Sequence, residues 1–237
     1  MLKADLHTHT NYVIPKRDSK ISPKQLIDFL AARDYDVLAI TEHASMKIKG
    51  KIRMIKNPTK TYFHFKDYAK KKGILLVPGV ETFIEGKEVL LINFKGDATR
   101  ARTFADVERL KEENVLVMAP HPFYGRGSCL KNKLIENIKI FDAIEHCHFY
   151  TSFFNPNKKA IMIAKKYNKP LVASSDAHRI SQLNTNFSLI DAEKNVDSVL
   201  ESIRKNKVGI STRPLPLYQF LSITIWAVLA TIKQEYF

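Results

Sequence analysis

The chain opens on Met1-Leu2-Lys3-Ala4-Asp5-Leu6-His7-Thr8-His9, and the stretch from Leu2 to His9 decides how the rest is read. Its apolar run predicts a strand over Leu2–His7 that ends in two histidines spaced two apart. Successive strand residues face opposite ways, so His7 and His9 share a face and can grip one ion. The same kind of ending recurs down the chain. Predicted strands at Asp36–Thr41, Ile74–Glu81, Val115–Ala119, Ala143–Cys147 and Leu171–Ser175 run out into Thr41-Glu42-His43, Glu81, His121-Pro122, Glu145-His146-Cys147-His148 and Ser175-Asp176-Ala177-His178. One further strand is expected at Glu88–Phe94.

Helical patterns alternate with these runs. Ser22 is placed to cap the first helix, Pro23 suits its first turn, and Gln25 stands where a capping box wants Glu or Gln. Leu26, Ile27, Leu30 and Ala31 follow as one apolar stripe. Further helices are expected at Asp67–Lys72, Phe104–Glu112, Pro156–Tyr167 and Val196–Asn206. Strands alternating with helices read as repeated βα units and a parallel sheet, and nearly continuous apolar strands suit a sheet buried on both faces. The expectation is an α/β, TIM-like barrel over residues 1–212, with its strand ends gathered on one face where active sites are assembled.

Hydrophobic residues make up 45% of the 237, enough for a large core, and no linker-like run divides the chain. Lys and Arg number 38 against 24 acids, a formal charge of +14, which favours anionic partners. Two cysteines, Cys129 and Cys147, make no disulfide framework, and the N-terminus carries no apolar leader, so a cytoplasmic setting is expected. Residues 213–237 form an apolar tail. Leu217, Phe220, Leu221, Ile225, Val228, Leu229 and Ile232 fall on one helical stripe, with Ile223 and Trp226 off it. The sixteen residues from Leu217 to Ile232 fall short of the roughly 20 a bilayer requires. A helix packed on the barrel or in an oligomer interface is expected, with membrane contact as the lesser alternative.

Eight side chains are candidate ligands: His7, His9, His43, Glu81, His121, His148, Asp176 and His178. Imidazole and carboxylate without thiolate suit Zn²⁺, Mn²⁺ or Fe²⁺. Eight are too many for one tetrahedral ion, so two or three divalent ions are expected, with a carboxylate such as Glu81 bridging. His64 closes no predicted strand and is read as structural. The basic tract Lys47, Lys49, Lys51, Arg53, Lys56 and Lys60 leaves a ligand-bearing strand end. Arg126 and Arg179 are the single candidates for gripping a phosphate, which guanidinium can bind bidentately.

At this point the chain resembles the PHP (polymerase and histidinol phosphatase) superfamily. The motifs are Asp5-Leu6-His7-Thr8-His9, Ala39-Ile40-Thr41-Glu42-His43, Gly79-Val80-Glu81, His121-Pro122 and Ser175-Asp176-Ala177-His178, in that order. The resemblance implies a distorted (β/α)7 barrel holding two or three metals at the C-terminal strand ends. It implies one ion among His7, His9, Glu81 and Asp176, and a second shared by Glu81, His121 and His148. It implies a third near His43 and His178, to which Asp18 carries over as a ligand, although Arg17-Asp18-Ser19 replaces the family's Ser-Asp-Gly. Thr-Glu-His at 41–43 departs from Thr-Asp-His and puts a role for Glu42 in doubt. His148 matches the family position better than His146.

The expected activity is metal-dependent hydrolysis of a phosphate ester, on a small phosphorylated metabolite or nucleotide. His7, His9, His43, Glu81, His121, Asp176 and His178 form the expected catalytic centre. The competing expectations are an exonuclease acting on nucleic-acid ends and a non-enzymatic metal-binding scaffold or ribonucleoprotein subunit.

Overall fold

The computed structural model describes residues 1–14, 19–48 and 51–236, without the side chains of 46–48, 52 and 230–236. Its elements follow in the order β1 (Leu2–Thr8), α1 (Pro23–Ala31), β2 (Val37–Ile40), β3 (Ser45–Ile48), β4 (Lys51–Met54), α2 (Lys60–Lys71), β5 (Leu75–Ile84) and β6 (Lys87–Ile92). Then come α3 (Phe104–Leu110), β7 (Leu116–Ala119), α4 (Asn132–Glu136), β8 (Ala143–Cys147), α5 (Asn157–Lys166), β9 (Leu171–Ser174), β10 (Asn186–Ile190), α6 (Val196–Arg204), β11 (Val208–Thr212) and α7 (Leu217–Tyr236). The α1 capping box forms as the sequence reads: Ser22 Oγ accepts from Gln25 N, and Gln25 Oε1 accepts from Ser22 N.

Nine strands make one sheet in the order β11-β10-β1-β2-β5-β6-β7-β8-β9. The sheet curls until its ends nearly meet. Asp176 N donates to His7 O (2.8 Å) and His9 N to Ala177 O (3.1 Å), joining the chain after β9 to the end of β1. The result is a nearly closed, barrel-shaped α/β sheet.

The sheet is mixed where the sequence predicts it parallel. β1–β2, β2–β5, β7–β8 and β8–β9 are parallel, whereas β5–β6, β6–β7, β1–β10 and β10–β11 are antiparallel. The cause at β6 is its connection. Glu85 and Gly86 both have positive φ (48° and 78°), the signature of a two-residue hairpin turn, and a parallel crossover needs a dozen residues or more. The reversed β6 enters the sheet from the mouth of the barrel. β5 also runs past Glu81 to Ile84, because its far half pairs with β6.

Two apolar layers hold the strands. Ala4, Leu6, Val37, Ala39, Val77, Leu90, Leu116, Met118 and Val172 form one cluster with Val199, Leu200 and Ile203 of α6. Leu38, Ile40 and Leu76 pack outward on Leu26, Ile27 and Leu30 of α1. Alternate residues of β2 thus serve different layers, as strand geometry requires.

The tail does form a helix, but of the predicted stripe Phe220 meets the barrel, joined by two residues that lie off the stripe. Phe220 stacks on Phe149 (4.4 Å between centroids), Ile223 is buried, and Trp226 lies against Arg179. Leu217, Leu221, Ile225, Val228 and Leu229 point to solvent. Among the described residues no helix is long and apolar enough to cross a membrane.

Candidate metal centre

The site begins with an irregularity in β1. Its pairing with β2 slips by one residue between Asp5↔Leu38 and Thr8↔Ile40, leaving the extra residue in β1. Such a bulge re-aims a side chain. Leu6 stays in the apolar cluster while His7, its neighbour, faces the site together with His9. Asp5 braces the bulge, its Oδ1 accepting from His7 N (3.3 Å) and Ser175 N (3.1 Å). Burial pushes the Asp5 acid up to about 7.

Four donor atoms then converge. His7 Nε2 and His9 Nε2 are 3.0 Å apart. Glu81 Oε2 is 3.6 and 3.4 Å from them, and Asp176 Oδ1 3.4 and 3.3 Å. Five of the six edges of this tetrahedron therefore average about 3.3 Å, and a regular tetrahedron of that edge has its centre roughly 2.0 Å from each donor, the bond length of Zn²⁺ to nitrogen or carboxylate oxygen. The residues fit a cation.

The other oxygens of both carboxylates turn to a second position. Glu81 Oε1 is 3.4 Å and Asp176 Oδ2 3.8 Å from His121 Nε2. Glu81 Oε1 is buried without a hydrogen-bond partner, a costly state for a carboxylate oxygen that a cation would relieve. His148, buried nearby, approaches Gln182 Nε2 through its Nε2 (3.2 Å). A third grouping stands at the rim, where ring nitrogens of His9, His43 and His178 all lie within 4.8 Å of one another. His43 Nδ1 is 3.1 Å from Glu81 Oε2, linking this group to the first.

Electrostatically the cluster favours positive charge. Burial alone would keep His7 neutral, but Glu145, Asp176 and Glu81 hold its proton affinity well above that of a free imidazole. The reciprocal effect outweighs burial at Glu81, where His7 and His43 keep the acid well below the usual carboxylate range, and at Asp176, where His7 does the same. His148 behaves differently: burial pushes it down to about 4 and so keeps a lone pair available at neutral pH. Backbone strain is stored here too, since His121 and Asp176 both adopt positive φ (26° and 46°).

All eight predicted ligands thus belong to one region at the mouth. Asp18 lies outside the described residues, as do the side chains of Lys47 and Lys49. The basic tract is no plain loop: it contains the β3–β4 hairpin, pinned to β5 by Ser45 Oγ accepting from Phe83 N (2.8 Å), and Lys60 opens α2. His64 stands apart on α2, its Nδ1 hydrogen-bonded to the Tyr12 hydroxyl (2.6 Å). Glu42 accepts from Thr10 N (3.1 Å) and Thr61 Oγ1 (2.9 Å), a bracing role. His146 turns away to Tyr150 (5.3 Å between rings).

Sequence reasoning missed Glu145. It is fully buried, and strand alternation sets it opposite to His146, the signal that could have found it. Glu145 Oε1 meets His7 Nδ1 (2.8 Å) and accepts from Ser174 Oγ (2.6 Å), while Oε2 accepts from His121 N (2.7 Å). Trp226 was not placed at the site either; its ring lies 5.8 Å from that of His178. Cys129 and Glu88 back the other nitrogen of His121, at 3.6 and 3.8 Å from Nδ1.

Residues 154–208 match a family model described as PHP-associated. This match accords with the resemblance to the PHP superfamily that the strand-end motifs carry. The PHP motifs quoted from the sequence are those whose side chains converge at the mouth. The chain is 24% identical over 154 residues to the uncharacterized protein MJ1587 of Methanocaldococcus jannaschii, an alignment covering 60% of this chain and 82% of that one. Its fold is similar to a two-domain protein from Bacteroides vulgatus containing a predicted PHP-like metal-dependent phosphoesterase (TM-score 0.68, 18% identity, 93% of this chain and 68% of the other). It is similar as well to PsfC from Pseudomonas syringae (TM-score 0.61, 15% identity, 98% and 97%). In this barrel the two arginines stand beside ligand-bearing strand ends, after His121-Pro122 and next to His178. Arg126 is exposed on the loop after His121-Pro122, within the electrostatic reach of Glu88, Asp176 and Glu81, which raise its proton affinity further. Arg179 lies over the Trp226 ring (5.0 Å).

Proposed function

We propose that the protein hydrolyses phosphate monoesters of a small phosphorylated metabolite or nucleotide, using two or three divalent cations. The observation that carries this reading is the division of two carboxylates. Glu81 and Asp176 each give one oxygen to the His7–His9 side and one to the His121 side. Paired cation positions sharing bridging carboxylates suit in-line displacement at phosphorus.

His7, His9, Glu81 and Asp176 would hold one ion, and Glu81, Asp176, His121 and His148 a second. His9, His43 and His178 offer a third position. When bound, such ions acidify a water and neutralise the charge of a phosphoryl group. That contribution is needed, because uncatalysed monoester hydrolysis requires up to ~10²¹-fold acceleration and a single general base supplies only about 10²–10⁴. The chain's own residues do the rest. Glu145 fixes the His7 ring, the Arg126 guanidinium is offered to phosphoryl oxygens, and Trp226 walls one side of the mouth. With the third position unfilled, His178, at the outer edge of the cluster, would pass a proton to the leaving alkoxide.

The test is a panel of phosphate esters, including nucleotides, sugar phosphates and short single strands, assayed after metal stripping and again after Mn²⁺ or Zn²⁺ is restored. Monoester hydrolysis that disappears with the metal and returns with it is the expected result. Hydrolysis indifferent to chelators would overturn the reading, and activity confined to the single strands would move it to a nuclease.

A further inference from the structure

We infer that α7 is the interface of a symmetric dimer, pairing with α7 of a second copy of this chain. Six large apolar side chains on this helix are exposed: Leu217, Tyr218, Leu221, Ile225, Val228 and Leu229, at 49–76%. At about 100° per residue they occupy one arc of roughly 120°, running about 18 Å along the axis. The opposite arc, with Gln219, Phe220, Ile223 and Trp226, is the one seated on the barrel. Roughly 600 Å² of apolar surface per copy is left open by six such side chains. That stands at the top of the ~300–600 Å² that the largest patch of a monomer exposes and approaches the ~800 Å² per partner of a standard interface.

The arrangement of the six names the occupant. Their positions are symmetric about residue 223: 217 mirrors 229, 218 mirrors 228, and 221 mirrors 225. A two-fold interface requires this self-complementarity, since residue i must meet j of the partner while j meets i. An antiparallel pair of α7 helices sets Leu217 opposite Leu229, Tyr218 opposite Val228 and Leu221 opposite Ile225, with apolar groups on both sides at every step. A lipid surface is a poorer match. Helices that lie on anionic bilayers carry Lys and Arg along their polar face, whereas the segment from Leu217 to Ile232 has no charged residue and its other face is taken by the barrel.

Sedimentation of the full chain at micromolar concentration is expected to give twice the 27.2 kDa of one copy. Leu221→Glu combined with Ile225→Glu, both on the exposed arc, is expected to give monomers with an unchanged circular-dichroism spectrum. Leu217→Cys with Leu229→Cys in one chain is expected to yield a disulfide-linked dimer on mild oxidation, while either cysteine alone yields none. The inference is overturned if the parent chain sediments as a monomer, with or without pelleting on anionic vesicles. It is overturned equally if the double-glutamate variant remains dimeric, or if single cysteines cross-link, as a parallel pair would.

Discussion

Glu145 holds His7 from behind: its Oε1 lies 2.8 Å from His7 Nδ1, so that His7 presents Nε2 to the other donors. A carboxylate in this position fixes both the tautomer and the ring plane of a metal-binding histidine. The same carboxylate takes a hydrogen bond from Ser174 and another from the backbone of His121, so one buried acid ties together three strand ends.

Glu145→Gln keeps the volume and removes the charge. It is expected to weaken divalent-metal affinity by about 10–100-fold, the usual cost of losing such a partner. Competition against a fluorescent chelator would measure it. An unchanged affinity would show that His7 needs no support.

The ligands were legible because the barrel gathers strand ends, and a histidine or acid at each of several ends is visible in the letters alone. The α1 capping box was legible for the same reason: its signal is local. What escaped depends on three-dimensional neighbours. The bulge that turns His7 inward needs the β2 register to be seen, and Glu145 looked like one acid among three strand-end histidines and cysteines. The reversal of β6 rests on Glu85 and Gly86 taking positive φ, a weak signal with Glu rather than Asn or Asp in the first place. The tail was read as a single stripe. Ile223 and Trp226 stand off that stripe in the letters, but that the barrel takes them together with Phe220 depends on a surface the tail's own sequence does not encode.

Glu81 joins all three groupings through its distances to His7, His9, His43 and His121. Glu81→Gln is expected to lower metal content by at least one ion per chain, as read by elemental analysis of dialysed protein. Turnover should fall by more than ~100-fold, since even a supporting residue can cost that much. Full metal content with lost activity would instead make Glu81 a proton carrier.

The His148 pKa, pressed down to about 4 by burial, makes the metal-free protein sensitive to acid. A free imidazole titrates near 6.5, so between pH 6.5 and 4 the unfolded chain binds a proton that the folded chain refuses. The corresponding stability is complete above pH 6.5 and is lost as pH falls toward 4, by an amount on the order of 3 kcal/mol. Urea denaturation of metal-free protein at pH 7 and pH 5 is expected to show the decline, and His148→Asn should flatten it. A decline of equal size in the variant would assign it to other groups.

Arg126 and Arg179 should separate in a kinetic comparison. Arg126 is exposed and feels the charges of Glu88, Asp176 and Glu81, whereas Arg179 spends its guanidinium face on Trp226 at the rim. If Arg126 grips the phosphoryl group, Arg126→Ala should raise KM and leave kcat comparatively intact, because the contact is made equally in the ground state and the transition state. Lys at the same place should recover only part of the loss, since it cannot form the bidentate pair. Arg179→Ala and Trp226→Ala should resemble each other, each removing one half of the stack, and both should act on bulky esters more than on small ones. Equal losses in kcat and kcat/KM for Arg126→Ala would place that guanidinium on the transition state alone and reassign substrate binding to another group at the mouth.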